Sequence, residues 1–206
     1  MSLKKSILLI LTILLVDQIS KIYIKTHFSL TEDVEVFSWF RIYFVENDGM
    51  AWGTKLSDLL PFISDRTAKL SLTVFRLVAI VGIGYWLAAS IKKQASNLLI
   101  VAISLVFAGA MGNIVDSVFY GVFFDSSHGQ VATLFPEKGY ETLLHGKVVD
   151  MLYFPLWKGY LPEWMPVYGG KYFTFFEPVF NIADVAISIG FVILILFNKR
   201  AFGKGE

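Results

Sequence analysis

The sequence predicts an all-α integral membrane protein with four transmembrane helices, both termini cytoplasmic and a small β-containing subdomain on the outer, periplasmic side. Three observations predict this. Of 206 residues, 55% are apolar and 17% charged, against roughly 25% charged in an ordinary soluble domain. Four stretches, about 6–24, 69–89, 97–119 and 180–197, have the apolarity and the length, about 20 residues, that a bilayer-crossing helix needs. Basic residues are also segregated between the ends of these stretches. Lys4, Lys5, Lys92, Lys93, Lys199, Arg200 and Lys204 fall in the termini and the second-to-third turn, with Glu206 the one acid there. The connections 26–67 and 120–179 reverse this balance, with three basic against seven acidic residues and four against six. Basic segments stay in the cytoplasm, so both long connections lie outside.

Composition also excludes classes. A net charge of +1 gives no basic face for nucleic acid. The absence of cysteine excludes disulfide frameworks, thiolate zinc sites and cysteine nucleophiles. With 19 phenylalanines the chain does not read as disordered.

Each element follows in order, and 1–206 reads as a single membrane domain. The first span opens with the apolar run 6–16 after Lys4-Lys5, as a signal peptide does. No small-residue cleavage site follows, and the chain continues through Asp17-Gln18 and Lys21, so the span is expected to remain uncleaved. The first outer loop is rich in β-formers over 34–45, which predicts a short sheet. The second and third spans are joined by the Lys92-Lys93 turn, and the loop 120–179 leads to the fourth. Trp39, Trp52, Trp157 and Trp164 suit loops lying at the lipid–water boundary. There is no internal repeat or low-complexity segment.

Ionisable groups within spans are costly, and here they share a depth. Asp17 and Lys21 are four apart on one helix face. Asn113 and Asp116 close the third span, and Asn181 and Asp184 open the fourth. By helical rise, the three aspartates lie within roughly 5–10 Å of the outer boundary. Arg76 falls at similar depth, and Asp150 sits in the apolar outer-loop string Val148-Val149-Asp150-Met151-Leu152, placed to dip into the interface. Singly, each has a structural reading. Asp17–Lys21 fits an ion pair, Arg76 a snorkelling cation, Asp184 a dipole-stabilising acid, and Asn113 with Asp116 interhelical polar glue. Their convergence is what points to a site.

Two carboxylates held together share a proton near neutral pH, so one activates water while the other protonates a leaving amine. Other nucleophiles lack support: there is no Gly-x-Ser-x-Gly, Ser20-Lys21 do not share a helix face, and His27, His128 and His145 lack His-Glu-x-x-His spacing. The same oxygens also suit Mg²⁺ or Ca²⁺. A metal-dependent membrane lipid-head-group transferase is therefore one alternative, and a non-enzymatic small transporter or assembly subunit relaying protons is another. No soluble cofactor site is apparent.

Five motifs, in order, resemble the bacterial lipoprotein signal peptidases (signal peptidase II). They are Asp17-Gln18-Ile19-Ser20-Lys21, Asn47-Asp48-Gly49-Met50-Ala51-Trp52, Gly109-Ala110-Met111-Gly112-Asn113-Ile114-Val115-Asp116, Gly146-Lys147-Val148-Val149-Asp150 and Phe180-Asn181-Ile182-Ala183-Asp184. The resemblance implies an aspartic endopeptidase of the bacterial inner membrane that cuts prolipoproteins just before a diacylglyceryl-modified cysteine, near the outer leaflet. It implies Asp150 and Asp184 as the catalytic pair, with no metal or cofactor. Asn113, Asp116 and Asn181 are expected to hold the pair and the peptide carbonyls, Asn47 and Gly49 to hold substrate, and Asp17 and Lys21 to support that shell. The implied partners are lipidated prolipoproteins, membrane lipid and globomycin-type inhibitors. One chain carries every motif, so a monomer is expected.

The sequence departs from the family pattern at three places. Ser117 stands where an arginine is usual, with Lys147 or Arg76 expected to substitute. Met151 replaces a phenylalanine. Asp116 to Asp150 and Asp150 to Asp184 are each 34 residues apart, which predicts an enlarged outer lid.

Overall fold

The computed structural model describes residues 1–48 and 62–202; Gly49 and Trp52 lie outside the described residues. Three of its helices are long and apolar enough to cross a bilayer: α1 (Leu3–His27), α2 (Asp65–Lys92) and α3 (Asn97–Val115) with its extension to Phe123. The fourth, α4 (Ile182–Leu196), has 15 residues, about 22 Å of helix. It is shorter than the stretch 180–197 because β6 occupies Val179–Phe180 and Asn181 caps the helix. A short α5 (Asn198–Phe202) follows. Side-chain oxygens of Ser2, Ser64, Ser96 and Asn181 accept backbone N–H groups at the starts of α1 to α4, so each helix begins at a residue that satisfies otherwise orphaned donors.

α3 is central. Over half of its apolar window (56%) is buried, against 17% for α1 and α2, and its largest contact is with α4. Small residues make that contact: Ala102, Gly109 and Gly112 face Ala183, Ala186 and Gly190, letting the backbones approach as membrane helices do. α1 is inside-out relative to a soluble helix. Leu8, Leu11, Leu15 and Ile19 are exposed, while Ser6, Asp17, Lys21 and Lys25 are buried. That pattern suits a helix facing lipid on one side and a polar cluster on the other.

Outside the bundle, β1 (Asp33–Phe37), β2 (Phe40–Asn47), β3 (Val148–Tyr153) and β6 form an antiparallel sheet in the order β1-β2-β3-β6. The predicted strand region 34–45 is thus a hairpin with its turn between Phe37 and Phe40. Asp150 lies in a buried strand, paired with Val45 of β2, and not in an interfacial loop. The string around it is apolar on both faces because β3 is covered on both. Val149 and Met151 pack with Ile24, Phe44, Tyr120 and Phe124 under the sheet. Met151 fills that core in place of the usual phenylalanine, a swap a flexible thioether accommodates.

The two long insertions have distinct fates. Part of the first, after Asp116, folds back on the end of α3: Leu144 N–H donates to Val118 carbonyl and Gly146 N–H to Ser117 carbonyl, 2.9 Å each. The second contains a separate hairpin of β4 (Trp157–Tyr160) and β5 (Tyr172–Phe175).

Candidate active site

Asp17, Lys21 and Lys25 recur every fourth residue on α1, and all three are fully buried. The Lys21 ammonium is the hub. Its Nζ lies 2.9 Å from Asp17 Oδ2, 2.8 Å from Asp116 Oδ2 and 2.9 Å from Asn113 Oδ1, so its three N–H groups meet three acceptors. A buried cation between two carboxylates keeps its place only with such completeness.

The two hub acids each hold one backbone amide elsewhere. Asp17 Oδ1 accepts Ala183 N–H at 2.9 Å, and Asp116 Oδ2 accepts Val149 N–H at 3.2 Å. Ala183 immediately precedes Asp184, and Val149 immediately precedes Asp150. The hub therefore sets the positions of α4 and β3 at the residues next to the two candidate catalytic acids. Gln18 completes the lattice, donating to Asp116 Oδ1 at 2.9 Å and accepting from Tyr120 Oη at 3.1 Å.

Backbone geometry at Asp116 makes this reach possible. α3 passes at Asp116–Tyr120 into a π-helical turn, a widening that recurs at functional sites. Gly146 packs directly on the Asp116 carbonyl, where any Cβ would collide, so β3 starts close enough for Val149 to reach the carboxylate. Gly112 does the same on the α1 side: a Cβ there would lie 2.6 Å from Asp17 Oδ2.

The candidate acids are joined through asparagines. Asn181 Nδ2 donates to Asp150 Oδ1 at 2.6 Å and to Asn113 Oδ1 at 3.1 Å. Asn113 Nδ2 donates to Asp184 Oδ1 at 2.8 Å. Asp184 Oδ2 accepts Asn181 N–H at 3.2 Å while Asn181 Oδ1 accepts Asp184 N–H at 2.9 Å, a reciprocal cap at the start of α4. Asn47 Nδ2 donates to Asp150 Oδ2 at 3.2 Å. Burial pushes the Asp150 carboxyl up to about 7, and the charge of Asp184 adds to it, against the pull of the Asn47 and Asn181 donors. An acid so placed holds or yields a proton at neutral pH.

The described residues expected to form the pair and its supporting shell gather here: Asp17, Lys21, Asn47, Asn113, Asp116, Asp150, Asn181 and Asp184. Gly49 lies outside the described residues. Among those residues no three His, Asp or Glu side chains cluster as a metal site would require. Ser117, at the usual arginine position, is buried and donates back to the Asn113 carbonyl at 3.0 Å. Lys147 Nζ faces Glu46 at 3.6 Å, whereas the Arg76 guanidinium lies in the field of Asp184 and Asp150.

A second buried pair escaped the sequence reading. Lys25 Nζ lies 2.6 Å from Glu46 Oε1 and 3.0 Å from Ser127 Oγ, and over the rings of Tyr140, Phe124 and Phe44 at 4.9–5.8 Å. Burial works to raise the Glu46 carboxyl, but the adjacent Lys25 ammonium holds it below its ordinary value. The pair pins β2 at the residue before Asn47. Its one sequence signal was the spacing of Lys25, four residues beyond Lys21.

The family model for signal peptidase (SPase) II matches residues 9–199. A lipoprotein signal peptidase of Porphyromonas gingivalis is 48% identical over 93% of this chain and 81% of its own length. The chain belongs to the signal peptidase II family. It is a membrane protein and a protease, which sets aside the transferase and transporter alternatives. A lipoprotein signal peptidase of Amoebophilus asiaticus is 36% identical over 90% of the chain and 73% of its own length. A solved structure described as a bacterial membrane enzyme is 25% identical, with a TM-score of 0.60 over 95% of this chain and 93% of that one. In this signal peptidase, all the family motifs but the part of the Asn47 motif outside the described residues converge on the Lys21 hub and the two acids it positions.

Proposed function

We propose that Asp150 and Asp184 are a proton-sharing dyad with which this signal peptidase hydrolyses prolipoproteins just before the lipidated cysteine. The observation that carries the proposal is their convergence: one acid from β3 and one from α4, linked through Asn181 and Asn113. The ionised member takes a proton from water as the water oxygen adds to the scissile carbonyl carbon. The protonated member gives its proton to the carbonyl oxygen. On collapse, one hydroxyl of the gem-diol returns its proton to the dyad as the C–N bond breaks, and the leaving cysteine amine takes a proton from the other acid, which leaves the pair with its single proton. The products are the signal peptide carboxylate and a free amino group on the lipidated cysteine. No covalent intermediate is required.

Further proposals follow from the frame. α4 is the fourth span, shortened and capped by Asn181; the termini face the cytoplasm of a bacterial inner membrane; and the dyad lies near the outer leaflet. The chain works as one membrane domain and as a monomer. Lipid on the cysteine then brings the scissile bond to the depth of the polar cluster. Globomycin-type inhibitors would occupy the same place.

The test is cleavage of a diacylglyceryl-modified prolipoprotein by purified protein in detergent, with chelator present. The native chain is expected to cut, and Asp184→Asn and Asp150→Asn are each expected to lose about 10²–10⁴-fold, the usual worth of a positioned acid–base group. Equal cleavage by native and Asp184→Asn would overturn the dyad.

A further inference from the structure

Between the outer sheet and the β4–β5 hairpin lies a cavity of about 780 Å³, within the roughly 300–1,000 Å³ of ligand clefts. Its floor is Val45, Glu46 and Asn47 of β2 with Asp150 of β3. Its wall is β5 with the segment 176–179 after it. Phe173, Thr174 and Phe175 are consecutive, yet all three line the cavity. Among the described residues none of β4 lines it, so β5 meets the cavity on the side away from its partner. Among the described residues β5 pairs with β4 alone, which leaves its other edge open. Glu177 sets an exposed carboxylate in the same wall.

We infer that this cavity takes the residues that follow the cysteine, the start of the mature polypeptide, as an extended strand laid along β5. The inference rests on the proteolytic reading above. The occupant follows from placement: among the described residues the cavity is lined by Asp150, by strand residues and by the segment after β5, and by none of α1 to α4. Of the chain on either side of the cut, the apolar signal peptide belongs among the helices and the acyl chains belong in lipid. What leaves outward is the mature segment. An open strand edge binds by main-chain hydrogen bonds and so tolerates many side chains, as a processor of many mature sequences needs. The hairpin lies between Asp150 and Asp184, 34 positions apart, where the family resemblance leaves length to spare.

The test uses full-length protein and substrates with one signal peptide and one diacylglyceryl cysteine. One substrate has a long mature segment; another ends at the residue after the cysteine; a third is short and carries shorter acyl chains. Phe173→Ala with Phe175→Ala removes the two aromatic side chains of that wall, so KM for the long substrate is expected to rise roughly three- to tenfold, with the short substrates unchanged. Glu177→Lys lies outside the strands and keeps the test open if the hairpin is disturbed. It is expected to shift the rate ratio of acidic over basic mature segments upward, roughly two- to fivefold. Equal loss on long and short substrates, loss that follows acyl length, or no change in either variant would overturn the inference. A native chain that cuts none of the three substrates would instead overturn the proteolytic reading beneath it.

Discussion

Asp150 stands at the edge of ionisation because its surroundings oppose one another. Burial and the Asp184 charge hold its proton, while the Asn47 and Asn181 donors favour the carboxylate. Removing one donor has a definite sign. Asn47→Ala takes away a hydrogen bond to the charged form, so the Asp150 carboxyl rises further and the alkaline limb of kcat/KM moves to higher pH. A limb that stays in place or moves lower would show that Asn47 acts elsewhere. The arginine missing at Ser117 poses a second residue-scale question. Arg76 lies in the field of both acids, whereas Lys147 faces Glu46. Arg76→Ala is therefore expected to cut kcat/KM by about tenfold or more, in the range of lost charged hydrogen bonds, and Lys147→Ala to change it little. Normal cleavage by Arg76→Ala would remove it from the substitution.

At the scale of elements, the Lys21 hub joins four of them: α1, α3, β3 and α4. Lys21→Met leaves Asp17 and Asp116 buried without their cation, at a cost of about 3–5 kcal/mol for a broken buried pair. The thermal midpoint in detergent, followed by tryptophan fluorescence, is expected to fall, with activity lost in parallel. An unchanged midpoint would contradict a structural hub. The sequence showed this hub only in part. The i, i+4 spacing put Asp17 and Lys21 on one face, and the depth argument grouped Asp116 and Asp184 with them. It did not show that Asp17 and Asp116 reach Ala183 and Val149, because backbone partners leave no trace in residue type. Asp150 read as part of an interfacial loop for a related reason. A strand covered on both faces is a continuous apolar run, with no alternation to mark it. The β4–β5 hairpin, short and interrupted by Gly159, gave no strand signal at all.

At the scale of the molecule, composition and the distribution of basic residues were enough to place this chain in a membrane, since few other solutions satisfy so much apolar surface. The orientation is open to direct measurement because the chain has no cysteine of its own. A cysteine placed by Ser2→Cys is expected to react with an impermeant maleimide only from the cytoplasmic side. One placed by Trp164→Cys, at a position 81% exposed between β4 and β5, is expected to react only from the periplasmic side. The reverse labelling would invert the frame. The apolar stretch of α4 was legible, but the true start of the helix was not. Phe180 and Asn181 are as compatible with a helix as with the strand end and cap they form, and pairing of Phe180 with Leu152 decides it.

Whether Asp150 and Asp184 share one proton is read from the pH dependence of kcat/KM. A shared proton gives two limbs. Activity falls at low pH as both acids become protonated, and falls again as pH rises past about 7, when the pair loses its single proton. A rate that climbs steadily through neutral to alkaline pH would contradict it.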